Sequence, residues 1–294
     1  MAAQGVDALL LSLGADLPYF CGYEAMPLER LTMLVVPKEG MPQLLVPILE
    51  APRVAEHPEV FGLLPWSDGQ DAVALAAGLI KGAKKVAVGD QMWAGFLVDL
   101  VAALPGTEFC RASAVTAPIR MVKDAAEIAA LRQAGAAVDR IIADLQAGLV
   151  PLVGRTEADV AAEIARRIRL EGHYKVNFTI VASGPNAASP HHDPTDRVIQ
   201  HGENVLFDIG GTMAGPNGVG YCSDITRCVH IGEPPAEFAE LYAVLHASHA
   251  AGVAAATVGT PCQDVDAAAR KVIADAGLGE IFIHRTGHGI GVEA

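Results

Sequence analysis

The apolar run "NVLFDIGG" carries a carboxylate, Asp208, and "YCSDITR" repeats the anomaly with Asp224. An unpaired buried carboxylate costs several kcal/mol, so each must be protonated, hydrogen-bonded or bound to a cation. The segment between them, "GGTMAGPNGVG", reads as a hairpin loop. The two strands are then antiparallel neighbours, and the carboxylates can face each other across the pair. Facing carboxylates repel unless a proton or a cation lies between them. Oxygen-rich sites of this kind suit divalent ions such as Mn, Co or Zn. The bland alternative makes Asp208 a strand-end turn residue and pairs Asp224 with Arg227. Two aspartates on apolar strands joined by one loop favour the metal.

The histidines are the next candidates. Nine of the ten follow residue 170, so chemistry is expected in the second part of the chain. "ASGPNAASPHHDPTDR" (182–197) is a polar, Pro-rich loop after a strand, a usual place for binding groups. His191 and His192 are adjacent, so in an extended segment only one faces a given site. His192 reads as an exposed turn residue, whereas His191 can donate to a substrate carbonyl or carboxylate, or stabilise a developing oxyanion. "IFIHRTGHGIG" places His284 and His288 four apart, with Gly287 arguing against a helix. Glycine on both sides of His288 permits close backbone approach. Taken alone, that pattern fits a tight turn as well as a ligand. G-x-G-x-G at 287–291 lacks the third glycine of the dinucleotide fingerprint, and no G-x-S-x-G elbow exists. Cys222 and Cys228 share a strand face with Asp224 by period 2 and read as small core residues.

Composition narrows the function classes. The chain has 34 Asp+Glu against 21 Lys+Arg and no basic stripe, which argues against nucleic-acid binding. At 294 residues, 51% hydrophobic and 19% charged, it can fill two ordinary domain cores. Five cysteines without a CxxC pair suit thiols in a reducing cytosol. The N-terminus lacks a basic n-region, and its apolar run, Ala8 to Leu13, is too short for a membrane span. A soluble, cytoplasmic protein with no membrane partner is expected.

The elements that must position these groups follow from patterning. "DALLLSL" (7–13), "LTMLVVP" (31–37), "QLLVPI" (43–48) and "KVAVG" (85–89) read as buried strands, with an amphipathic helix over 69–83, giving an α/β domain. A boundary falls near "VTAPIRMVKDAAEIAAL", so the domains are expected at 1–120 and 121–294. Asp124 and Glu127 form an N-cap signature, followed by Ile128, Leu131, Val138, Ile141 and Leu145 at helical spacing. A second helix starts at Thr156, with Val160, Ile164 and Ile168 on its buried face. Strands are expected at 176–182, 204–210 and 221–231, Ala-rich helices around 236–256 and 264–276, and a last strand at "IFIH".

The set "SGPNAASPHHDPTDR", "NVLFDIGG", "GYCSDITR" and "FIHRTGHGIGVE", in that order, closely resembles the pita-bread metallopeptidases: Xaa-Pro dipeptidases (prolidases) and Xaa-Pro aminopeptidases. The resemblance covers essentially the whole chain. It implies an α/β (α+β) fold, with a creatinase-type N-terminal domain before a pita-bread catalytic domain. It implies two divalent metal ions, Mn first and Co or Zn next, held by two Asp, one His and two Glu. Asp208, Asp224 and His288 match the aspartates and the histidine. His191 matches the substrate-binding histidine, and His284 one near the metals that either supports the ligands from behind or contacts substrate. The implied reaction is hydrolysis of an Xaa-Pro bond in dipeptides or short peptides by a metal-bridged hydroxide, in a homodimer.

Two departures stand out. The loop between Asp208 and Asp224 is longer than the family's. After "GHGIG" come only Val292, Glu293 and Ala294, and Glu293 is too close to His288 to match either glutamate. A C-terminally truncated chain with an incomplete metal site is expected. The alternatives are a metal-free hydrolase like creatinase, against which the Asp208/Asp224 pair argues, and a pita-bread domain that only binds.

Overall fold

The computed structural model describes residues 1–294, with every side chain except that of Asn217. Six strands form a mixed sheet: β1 (Ala8–Leu11), β2 (Met33–Pro37), β3 (Gln43–Pro47), β4 (Gly62–Trp66), β5 (Lys85–Val88) and β6 (Glu108–Arg111), in the order β4-β3-β2-β1-β5-β6. β1 pairs antiparallel with β2 and parallel with β5. Leu10 packs on one face with Val35, Leu45 and Leu100, while Leu9 and Leu11 pack on the other with Leu34 and Leu44. A strand covered on both faces requires an uninterrupted apolar run, hence "ALLL". β4 escapes the sequence pattern because it contains Pro65; it lies at a sheet edge, where a missing ladder donor is tolerated. The helices of this part are α1 (Asp16–Cys21), α2 (Ala72–Leu79), α3 (Ala94–Ala103) and α4 (Ser113–Met121).

The remaining elements are α5 (Ala125–Gln146), α6 (Glu157–Leu170), β7 (His173–Ser183), β8 (Asn204–Ala214), β9 (Gly220–Cys222), β10 (Ile225–His230), α7 (Ala236–Ala255) and α8 (Cys262–Asp275). The expected cap of α5 forms: Asp124 Oδ1 accepts from Glu127 N, and Glu127 Oε2 from Asp124 N, both at 2.8 Å. Thr156 and Asp159 cap α6 in the same reciprocal way. Val138, Ile141 and Leu145 of α5, with Val160, Ile164 and Ile168 of α6, pack against Val181, Phe207, Ile209 and Ile225 of the strands. Ile128, which shares the helical spacing of these α5 residues, lies exposed. The second sheet runs β10-β8-β7, with β9 paired to β8. The chain divides into two compact units, Met1–Gln133 with Met213–Tyr221 and Gly291–Glu293, and Ala134–Thr212 with Cys222–Ile290 and Ala294. Among the described residues no helix is long and apolar enough to cross a membrane, and the five cysteines form no disulfide.

Three expectations are corrected. Most of "GGTMAGPNGVG" is strand, since β8 runs to Ala214 and β9 starts at Gly220. The glycines allow this by close backbone approach: a Cβ on Gly210 would stand 2.3 Å from the Ser223 carbonyl oxygen, and one on Gly211 2.7 Å from that of Lys175. Second, "YCSDITRCVHI" is two strands, with Ser223 and Asp224 in the break between β9 and β10. Third, "IFIH" is not a strand. Gly279–Ile281 is a 3-10 turn, and Ile281 and Ile283 are 72% and 81% exposed. The run has strand composition but no strand beside it, and the Phe282 and His284 carbonyls accept from Arg270 instead, at 2.7 Å each.

The tight contact at Gly210 makes a prediction. Gly210→Ala destabilises the fold by about 3 kcal/mol, because the opposing atom is backbone and cannot swing away. Urea unfolding at neutral pH measures it; a change below about 0.5 kcal/mol, the range of neutral surface substitutions, would contradict it.

Candidate functional site

β8 and β10 pair antiparallel with Thr226 opposite Asp208, so Asp224 lies just beyond the register, where the ladder breaks. There the chain is held by Ser223, whose N donates to the Gly211 carbonyl at 2.8 Å and whose hydroxyl meets Nε2 of the buried His173 at 2.9 Å. The Thr226 hydroxyl donates to Asp208 Oδ1 at 3.0 Å. Burial pushes the Asp208 carboxyl above the ordinary carboxylate range, and the charge of Asp224 pushes the same way. Thr226, His191 and His288 oppose these effects. The two aspartates thus repel, and both histidines act on the same carboxylate.

His288 reaches the site from the C-terminal loop. α8 anchors that loop: Asp266 Oδ1 accepts from Thr286 N and Oγ1 at 2.8 Å, and Arg270 lies 4.5 Å from the centre of the Phe282 ring. His288 Nε2 stands 3.3 Å from Asp224 Oδ2, the two side chains 50% and 22% exposed. Its Nδ1 is 2.8 Å from the Gly289 carbonyl oxygen. A carbonyl only accepts, so Nδ1 carries the hydrogen, and in the neutral ring Nε2 presents a lone pair to a carboxylate. Two acceptors facing each other leave room for a proton or a metal cation, and a ring nitrogen fixed by a carbonyl is the usual arrangement of a metal-bound imidazole. Asp224 therefore faces His288, while Arg227, its expected partner in the bland alternative, donates to the Thr226 carbonyl.

The donors fit a divalent cation in kind but not in number. Among the described residues no three His, Cys, Asp or Glu side chains converge closely enough to hold a metal ion. His284 stands apart from this group: its Nδ1 meets the Arg285 carbonyl at 2.8 Å, and its ring packs edge-on against Phe282 at 4.8 Å. Cys228 is a partly buried thiol whose proton affinity burial raises, which suits a core residue.

The loop after β7 departs most from expectation. His192 is not an exposed turn residue: its ring is 13% exposed, and Nε2 lies 2.8 Å from Oε2 of Glu157, which is wholly buried. Glu157 also accepts from Ser183 N and Oγ at 2.7 Å, from Asn186 Nδ2 at 3.0 Å and from Thr195 Oγ1 at 2.8 Å. Burial alone would push the Glu157 carboxyl up, but the bonds from His192, Ser183 and Thr195 outweigh it and hold it at about 2. Glu157 does not stand out in the sequence, because an acidic residue in the first turn of a helix is ordinary. The signal for it is a donor-rich loop, Ser183, Asn186 and Thr195, that needs a shared acceptor.

The lowered Glu157 carboxyl gives a pH dependence. A depressed folded-state value contributes stability that is complete above the ordinary value of 4.5 and is lost as pH falls toward about 2. Unfolding free energy measured from pH 6 to pH 2 in steps of about one unit should fall more steeply in the wild type than in Glu157→Gln. Parallel curves would refute the assignment.

Known proteins place this geometry in context. The profile of Metallopeptidase family M24 matches residues 129–294, and that of the Creatinase/Prolidase N-terminal domain matches residues 1–122. The probable dipeptidase PepE of Mycobacterium tuberculosis (strain ATCC 25618 / H37Rv) is 45% identical over 295 residues, covering 99% of this chain and 77% of that protein. The crystal structure of dipeptidase PepE from Mycobacterium ulcerans superposes with a TM-score of 0.90 at 46% identity, over 99% of this chain and 78% of that one. The recombinant prolidase from Thermococcus sibiricus superposes with a TM-score of 0.89 at 33% identity, over 99% and 79%.

Proposed function

The chain belongs to metallopeptidase family M24, with that family's mixed α/β architecture and creatinase/prolidase N-terminal domain, and from that premise we propose that it hydrolyses the Xaa-Pro bond of dipeptides or short peptides. Residues 1–120 are assigned to the N-terminal domain and 121–294 to the catalytic domain. Asp208, Asp224 and His288 are assigned as metal ligands, and His191 and His284 as groups that meet the substrate. The observation that carries the reading is His288 Nε2 aimed at Asp224 Oδ2 across 3.3 Å while its Nδ1 is held by the Gly289 carbonyl.

When bound, divalent ions supply the water activation and carbonyl polarisation that peptide hydrolysis at neutral pH requires. The chain's own residues do the rest. Thr226 fixes the Asp208 carboxylate through its hydroxyl, and the Gly289 carbonyl keeps the hydrogen of His288 on Nδ1. His191 binds the substrate's carboxylate or donates to the oxyanion that develops on the scissile carbonyl. Mn is the proposed metal, and a homodimer in the cytoplasm the proposed setting.

A second reading, a pita-bread domain that binds without catalysis, draws on the absence of three convergent donors among the described residues. A metal-free hydrolase is the third, and the repelling aspartates argue against it. An assay of Xaa-Pro peptides of two, three and five residues, with Mn and with chelator, separates them. Cleavage only with Mn supports the proposal. Cleavage unaffected by chelator supports a metal-free hydrolase, and binding without cleavage supports the module.

A further inference from the structure

We infer that Glu157 is a positioning residue for His191, acting through His192; the inference rests on the proposed role of His191 at the substrate. Glu157 is an unusual group, a wholly buried carboxylate in the first turn of α6 whose hydrogen-bond donors, among the described residues, are serine, asparagine, histidine and threonine. Its partners are the last residue of β7, Ser183, and three residues of the following segment that carries the two adjacent histidines, Asn186, His192 and Thr195. The stitching continues along the backbone. Glu157 N donates to the Arg197 carbonyl and Ala158 N to that of Thr195, both at 3.0 Å, so two N–H groups that the helix leaves without internal partners are spent on the loop. Arg197 closes the outer side, donating to Ser183 Oγ at 2.7 Å and to Glu203.

The consequence for His191 is steric and directional. An ionised carboxylate only accepts, so the His192 ring must carry its hydrogen on Nε2, and the ring is drawn inward to Oε2. Its neighbour His191 is left exposed and acts electrostatically on Asp208. Glu157 therefore fixes which of the two histidines is drawn inward and which stays exposed. Without the bond the pair loses that distinction, because either ring can turn inward.

The test uses the whole chain in three forms. His192→Leu keeps comparable bulk and deletes the donor, His192→Gln restores a donor through its amide, and His191→Ala is the reference for substrate binding. Amide hydrogen exchange reads the clamp, and calorimetric titration with alanyl-proline reads its purpose. In His192→Leu, exchange of the Thr195 amide should rise about tenfold or more while β8 amides are unchanged, and the alanyl-proline Kd should rise about tenfold, the effect of losing a hydrogen bond to a charged group. His192→Gln should stay within about twofold of wild type in both readouts. A merely structural role predicts that β8 exchange rises along with the loop and that the glutamine variant does not rescue binding. Unchanged loop exchange in His192→Leu overturns the clamp. Faster loop exchange with unchanged Kd, when His191→Ala does weaken binding, overturns the positioning of His191. If His191→Ala itself leaves the Kd unchanged, the substrate role of His191 falls, and the positioning inference with it; the loop exchange would still show whether Glu157 holds the segment.

Discussion

Asp224→Asn lowers the Mn affinity of the chain by about 100-fold or more, since loss of mere outer partners already costs 10- to 100-fold at metal sites. The substitution keeps the shape of the side chain and removes its charge. In the metal-free chain it has the opposite effect on stability. Asp224 is one of the groups that push the Asp208 carboxyl upward, so neutralising it relieves a repulsion and raises the unfolding free energy at neutral pH. Titration calorimetry with MnCl2 and urea unfolding with chelator read the two halves. A substitution that weakens metal binding by general damage would lower both, so the divergence of signs is the diagnostic. Unchanged Mn affinity would remove Asp224 from the ligand set.

Glu157→Ala is expected to cost about 3–5 kcal/mol, the range for breaking a buried charged network by removing one partner. It strands Ser183, Asn186, His192 and Thr195 donors together, all built around one carboxylate. Denaturant unfolding checks the figure. A loss below about 1 kcal/mol would mean that water or another acceptor replaces the carboxylate, and the network would not be a stability element.

How far the sequence was readable depended on whether each residue was judged by itself or by distant partners. β1 and β2 were legible because strands buried on both faces must be apolar throughout, and "ALLL" and "MLVVP" satisfy that without reference to anything else. β4 was not, because Pro65 forbids a central strand and nothing local says that the strand lies at an edge. The strand expected at "IFIH" had the right composition, but a strand is made by its neighbour, and here Arg270 takes the carbonyls.

The site divides in the same way. Asp208 and Asp224 stood out as charges in apolar runs, and His288 as a histidine between glycines. Their resemblance to a known motif set then joined them. Structure adds that Asp224 occupies a break in the ladder rather than a strand position, which the period-2 pattern could not show. Glu157 and His192 were invisible because their partnership spans 35 residues and each type is ordinary where it stands. Read locally, a glutamate after an N-cap is a helix-dipole residue and a histidine after Pro-His is a turn.

The most direct test of the account is the place where a metal goes. Crystals soaked in MnCl2 and measured at a wavelength where Mn scatters anomalously should show a peak between Asp208, Asp224 and His288, with His288 Nε2 and Asp224 Oδ2 both turned to the ion. The peak should vanish in Asp224→Asn. No peak at these side chains, or a peak that persists in that variant, would contradict the assignment of this group as the metal site.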